Sequence, residues 1–245
     1  MPNKVAFLDL LDELSEEATA IGAVNTSFVR LDQHGNRRHV GTNTDCIGIR
    51  EAILNQAPLA SKAAQGRPVL VIGGGGAARS AIYTLWRWFG PSKIYIANRL
   101  KSEIDALVQF FHSTAPGMRL HPLITVEEAR CIDTPYIVVG TIPDNPPREP
   151  GEILCRQICD TILRKDGRGI FLDMCYLPSP MTRLYTSAAA NGWQVVSGTD
   201  VLVRVCIAQQ TLWLEMNTNE AGMREATSAL WEITQSQHRT QNSKL

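Results

Sequence analysis

The stretch from Val69 to Leu85, "VLVIGGGGAARSAIYTL", decides the fold. Four apolar residues run into four glycines, and a segment of helical period follows. Gly73, Gly75 and Ala78 stand at the spacing G-x-G-x-x-G/A. The first glycine permits a tight turn, the second lets a diphosphate approach the backbone, and the small third residue lets helix pack closely on strand. The diphosphate then rests on unpaired N–H groups at the positive end of the helix. Glycines also end strands for purely structural reasons. Here "KIYIAN" (Lys93 to Asn98) supplies a second strand and completes a β-α-β unit, so dinucleotide binding is the stronger reading.

The same pattern continues outward. "SEIDALVQFFHS" reads as a second helix, and "YIVVGTI", "GIFLDM" and "WQVVS" as three further buried strands, separated by "CRQICDTILRK" and "MTRLYTSAAAN". Continuous apolar strands, each followed by a helix, predict a parallel sheet covered on both faces. The fold class is therefore α/β, a Rossmann-type doubly wound sheet.

Upstream, Val5, Leu8, Leu11 and Leu14 fall near helical spacing, which predicts an amphipathic helix over Val5 to Leu14, with Pro2-Asn3-Lys4 as the loop that feeds it. "GAVNTSFVRL" and "RHVG" flank the turn "DQHGNR" as a hairpin. "NTDCIGIREAIL" begins a helix at Asn and Asp caps. The small, aperiodic run Asn55 to Arg67 places a domain boundary. Residues 1–60 then form part of an α/β substrate domain and 61–197 the dinucleotide domain. Two amphipathic helices in 198–235 return to the first domain, and 236–245 is a polar tail without fixed structure.

Composition narrows the partner. The 245 residues carry 24 basic and 24 acidic side chains, so no global field favours nucleic acid or an anionic membrane, and a small molecule is expected. Six cysteines without paired short spacings argue against a zinc site, and no metal is expected. Cys155 and Cys159, one helical turn apart, read as helix-face cysteines without a redox role. With no membrane-length apolar run, a reducing, cytoplasmic setting is expected.

The residue that distinguishes NAD from NADP should end the second strand, where an acid accepts from the ribose 2′-hydroxyl and basic groups hold a 2′-phosphate. "IANRLKSE" presents Asn98, Arg99 and Lys101 there, which favours NADP with NAD as the alternative; Glu103 weakens the positive field. Two polar clusters, "GAVNT" and "GTNTDCIG", each carry an Asn-Thr pair beside glycine. Alone, Asn25 reads as a turn residue and Asp45 as a helix cap. Together with Lys4 they supply an amide, a carboxylate and an ammonium, and a Lys and an Asp held together can carry a hydroxyl proton while hydride leaves the carbon.

"MPNK", "GAVNT", "GTNTD", "GGGGAAR", "NR", "DMCYLPSPMT" and "GTDVLV" occur in the order of the shikimate and quinate dehydrogenases, and the chain resembles that family from Met1 to about Glu215. The likeness is to the fungal forms, including the dehydrogenase module of the pentafunctional arom polypeptide and the quinate repressors. It implies reversible NAD(P)-dependent oxidation of a ring hydroxyl of shikimate or quinate. It implies Lys4 and Asp45 as the catalytic pair and Asn25, Thr44 and Tyr176 as substrate-facing. It also implies that Gly73, Gly75, Gly76 and Ala77 take the diphosphate, and that Met174 and Gly198 lie near the nicotinamide.

Three departures from the family pattern are evident. The early strands of the substrate domain and their serine motif are not in this sequence, so that domain is expected to be incomplete. The substrate-binding Gln seven residues after Gly198 is replaced by Val205, and Gln209 and Gln210, a turn later, are not expected to reach its place. Glu103 stands where the family has a basic residue. Three readings therefore compete: a dehydrogenase, a catalytically silent metabolite sensor like the quinate repressors, and a fragment that does not function alone.

Overall fold

The computed structural model describes residues 4–215 and 220–242. Two sheets organise the chain. The first is small: β1 (Glu13–Leu14), then α1 (Glu16–Ile21), β2 (Thr26–Leu31) and β3 (Arg37–Thr42), in the order β1-β3-β2. The hairpin is as expected, with β2 antiparallel to β3 and Phe28 opposite Val40.

The segment Val5 to Leu14 is not an amphipathic helix. It forms a turn, a 3-10 helix at Leu8–Leu10 and the strand β1, while Pro2 lies outside the described residues. Pairing explains the difference. β1 runs parallel to β3, the Asp12 carboxylate accepts the His39 N–H at 2.7 Å, and the Ser15 N–H reaches Gly41 O at 2.8 Å. A helix there would leave that edge of β3 unpaired, and edge pairing outweighs a short helical period.

α2 (Asp45–Gln56) and α3 (Ala60–Ala64) follow. The aperiodic run at Asn55 to Arg67 thus contains a short helix, held by burial of Ala60 and Ala64. The large sheet comprises β4 (Val69–Ile72), β5 (Ile94–Ala97), β6 (Leu120–Pro122), β7 (Ile137–Gly140), β8 (Ile170–Asp173) and β9 (Gln194–Val196). All pair in parallel in the order β6-β5-β4-β7-β8-β9. The helices between them are α4 (Gly76–Phe89), α5 (Lys101–Thr114), α6 (Val126–Cys131), α7 (Pro150–Leu163) and α8 (Arg183–Ala190). The short pieces β6 and α6 carry little apolar period and were not anticipated.

Both faces of this sheet are buried, which is why its strands read as unbroken apolar runs. Val69 and Val71 pack with Ala78, Ile82 and Leu85 of α4, while Leu70 and Ile72 pack with Ile158 and Ile162 of α7. The strand order reverses between β4 and β7, so the loops after them diverge and open a cleft at the carboxyl ends of the strands.

α9 (Gly198–Leu214) leaves the large sheet and crosses α2 closely. A Cβ on Gly48 would lie 2.5 Å from Val205 Cγ2 and 3.0 Å from Val201 O, so glycine is what lets the helices approach. α9 is fastened to the small sheet by Trp213 Nε1, which donates to Ser27 O at 3.1 Å. α10 (Glu220–Asn242) then runs past Ser236, where loss of structure was expected, and residues 243–245 lie outside the described ones. After Gly222 the run to Asn242 contains no Gly or Pro, so nothing local stops a helix once begun.

Candidate active site and dinucleotide cleft

Lys4, Asn25, Thr44 and Asp45 come together although they arise from three separate segments. Asp45 is the first residue of α2, with its side chain 8% exposed. One carboxylate oxygen pairs with the Lys4 ammonium and the other accepts from Asn25 Nδ2 at 2.8 Å. The Asn25 carbonyl oxygen is saturated in turn by Thr44 N–H at 2.8 Å and the Thr26 hydroxyl at 2.8 Å, with the Thr44 hydroxyl at 3.1 Å. These bonds fix the amide so that its N–H faces Asp45. Asp45 does not serve as the helix cap; Thr44 holds that position with its hydroxyl turned to Asn25 and not to the helix N–H groups, and Asn43 Oδ1 accepts the Cys46 N–H.

Gln209 joins this network. Its Nε2 donates to the Thr26 hydroxyl at 3.0 Å. Helical side chains lean toward the N-terminus, so a long side chain covers the turn before its own Cα, which is how Gln209, one turn beyond Val205, reaches Thr26. Val205 instead packs against α2. Thr26 and Gln209 were both missed as site residues; the first Asn-Thr pair, Asn25-Thr26, marked Thr26, but no local signal marks Gln209.

Tyr176 lies half-buried on the loop after β8. Burial raises its phenol pKa, with the Cys206, Cys175 and Asp45 charges adding to the shift. Met174 and Gly198 meet: the Met174 N–H bonds Gly140 O at 2.8 Å, and a Cβ on Gly198 would lie 2.6 Å from Met174 O. Asp173 anchors this loop by accepting from the Cys175 N–H at 3.1 Å and the Thr182 hydroxyl at 2.5 Å.

Burial pushes the Asp173 carboxyl up to about 6, against those two hydrogen bonds. A pKa raised above its unfolded value contributes stability that is fully present below about 4 and is lost as pH rises through about 6. Lowering the pH from 7 to 5 should therefore stabilise the protein relative to Asp173→Asn by about 1 kcal/mol, read by urea unfolding of both. A difference that stays constant across this range would refute the assignment.

The dinucleotide cleft has a volume of about 460 Å³ and is lined by Gly73, Gly74, Gly75, Asn98, Arg99, Glu103, Thr141, Glu152 and Arg156, among others. The residues present fit a dinucleotide. No side chain caps α4, so the N–H groups of Gly76 and Ala77 in its first turn are open to an anion. A Cβ on Gly75 would meet nothing within 4 Å, which is the open space a diphosphate needs.

The basic clamp is less open than the sequence implied. Arg99 is held by Glu152 at 2.7 Å, and Lys101 turns to Asp105 at 2.8 Å and does not line the cleft. Two backbone N–H groups and Arg99 lower the Glu152 pKa to about 2, so it stays ionised. Glu103 accepts from Asn98 Nδ2 at 2.6 Å and sits 2.6 Å from where a Gly74 Cβ would be. Cys155 and Cys159 are buried free thiols on α7. Among the described residues no group of His, Cys, Asp and Glu could hold a metal, and no helix is long and apolar enough to cross a membrane.

No family model matches the chain. It is 38% identical over 236 residues to the quinate dehydrogenase of Emericella nidulans, covering 94% of this chain and 72% of that protein. Among solved structures it resembles the dehydroquinate dehydratase and shikimate dehydrogenase of the S. pombe AroM protein (TM-score 0.73, 31% identity), covering 96% of this chain and 42% of that one. It also resembles Corynebacterium glutamicum quinate dehydrogenase in complex with NAD (0.71, 26%), covering 93% and 75%. A further likeness is to Thermus thermophilus shikimate 5-dehydrogenase with NADP(H) and shikimate (0.67, 29%), covering 94% and 77%. A Lys–Asp pair whose lysine lies against the first turn of the helix after the glycine loop, and this identity over almost the whole chain, lead to one conclusion: the chain belongs to the quinate and shikimate dehydrogenase family of nicotinamide-dependent oxidoreductases.

Proposed function

We propose that the protein catalyses reversible oxidation of a ring hydroxyl of quinate or shikimate, with Lys4 and Asp45 handling the hydroxyl proton. The observation that carries this reading is the buried Lys4–Asp45 pair braced by Asn25. An ammonium has three N–H donors, and Asp45 engages one, leaving donors for the substrate oxygen. The substrate O–H proton is relayed through Lys4 to the Asp45 carboxylate, Lys4 giving one proton to Asp45 as it takes the one from the hydroxyl, while the C–H bond gives up hydride; in the reverse direction the same transfers return the proton to the oxygen. The bound nicotinamide supplies the hydride acceptor. Asn25, Thr44 and Tyr176 orient the ring, and Gln209 holds Thr26 and so the Asn25 amide.

In this proposal residues 1–60 belong to the substrate domain, 61–197 hold the cofactor, and 198–235 return to the substrate side in a cytoplasmic protein. The sensor reading drew on Val205 and on the carboxylate-binding motif not found in this sequence; the bond from Gln209 to Thr26 places a polar group on α9 and so weakens the first of these. The test is absorbance of reduced cofactor with quinate and with shikimate; binding of either without any turnover would overturn the reading.

The finer proposal is that NADP is preferred over NAD, but by less than about tenfold, because Arg99 and Arg156 attract a 2′-phosphate while Glu103 and Glu152 oppose it. Arg99→Ala should weaken NADPH binding by about tenfold and NADH binding little, and Glu103→Gln should strengthen NADPH binding, both read by fluorescence titration. Equal effects on the two cofactors would remove the assignment.

A further inference from the structure

Gly74 and Gly76 are the two glycines of the loop that the dinucleotide spacing does not require, since Gly73, Gly75 and Ala78 already satisfy it; a Cβ on Gly74 would meet Glu103 and Asn98, which leaves Gly76 to be explained. Nor does the backbone explain it, because Gly76 opens α4 and is absent from the positive-φ glycines. What a side chain there would meet is Lys4. A Cβ on Gly76 would lie 2.9 Å from Lys4 Cβ, 3.2 Å from Cδ and 3.5 Å from Cγ. The nearest of these atoms is attached to the backbone, so a rotamer change cannot relieve the contact.

Lys4 has no room to retreat. Its carbonyl accepts the Val24 N–H at 2.7 Å, and its ammonium pairs with Asp45, which Asn25 holds at 2.8 Å. We infer that Gly76 is a positioning residue for Lys4: the lysine stem lies against the first turn of the helix that receives the diphosphate, and that contact sets where the ammonium stands. Cofactor loading and placement of the proton-handling group are then linked through one Cα. The inference rests on the dehydrogenase reading for the role of Lys4, but its geometry can be tested separately.

The experiment is Gly76→Ala. The expected result is NADPH affinity within about threefold of wild type and kcat lower by about 30- to 100-fold, since a misplacement near 1 Å costs about that much. In a Lys4→Ala background the same substitution should change kcat by less than about twofold, because no ammonium is left to misplace, although alanine keeps the Cβ and hence the steric clash. An equal kcat loss in both backgrounds would show general damage, and a loss of NADPH affinity matching the kcat loss would show a diphosphate contact; either overturns the inference. A crystal structure of Gly76→Ala decides the geometry alone: Lys4 Nζ should move by about 1 Å relative to Asp45. An unmoved lysine overturns the inference even with wild-type turnover intact, whereas absent wild-type turnover with a displaced lysine overturns only the dehydrogenase reading.

Discussion

Lys4→Ala should lower kcat by about 10³-fold while NADPH affinity stays near wild type, because a positioned proton donor contributes about 10² to 10⁴ in rate and none of the cofactor cleft changes. Lys4 is not among the residues lining that cleft; its stem lies against Gly76 at the start of α4. The loss should appear equally in kcat and kcat/KM, the signature of an interaction that matters in the transition state rather than in ground-state binding. Removing the ammonium also leaves the Asp45 carboxylate, 8% exposed, with only the Asn25 N–H as a side-chain partner, so some loss of thermal stability should accompany it. Lys4→Arg separates the two effects. Guanidinium keeps the charge beside Asp45 and restores stability, yet it does not release a proton at these pH values, so turnover should stay low. Stopped-flow and steady-state rates with quinate and shikimate measure this. Retention of more than about one tenth of wild-type turnover by Lys4→Ala would remove Lys4 from the chemistry.

The parts legible in the sequence were those in which local pattern and tertiary demand agree. β4, the glycine loop and α4 are fixed by apolar run, turn chemistry and helical period at once, and all three stand as read. Lys4, Asn25 and Asp45 were legible only as a set, since each alone is an ordinary turn, cap or surface residue, and the set becomes a site when the hairpin brings Asn25 beside the start of α2. What failed depended on long-range competition. Val5 to Leu14 has a helical period, but the unpaired edge of β3 claims it. Gln209 stands one turn beyond Val205 and reaches Thr26 by side-chain length, which spacing along the chain does not encode. Arg99 and Lys101 looked like a phosphate clamp because their acidic partners, Glu152 from α7 and Asp105 a turn further on, were not weighed.

Gly73→Ala should cost both stability and cofactor affinity, and Gly75→Ala affinity alone. Gly73 has φ +127°, a conformation L side chains rarely adopt, and a Cβ there would overlap the Thr141 hydroxyl oxygen. The loop cannot move aside. The Gly73 N–H is bonded to Ala97 O at 2.8 Å, and the Thr141 hydroxyl donates to Ile72 O at 2.8 Å, so the turn is tied to β5 on one side and to the end of β7 on the other. Strain of this kind costs about 1 to 3 kcal/mol, and relieving it requires shifting the turn that aims the α4 N–H groups. NADPH affinity should therefore fall by about 100-fold together with a drop of several degrees in Tm. Gly75 has φ −86° and open space around its Cα, so alanine there is unstrained, and its methyl enters only the room reserved for the diphosphate. Its Tm without cofactor should match wild type while NADPH binding weakens and the stabilisation normally conferred by cofactor shrinks. Titration and thermal unfolding of the two variants, each with and without NADPH, distinguish a glycine needed by the fold from one needed by the ligand. If Gly75→Ala bound NADPH as wild type does, the diphosphate would have to lie elsewhere in the cleft.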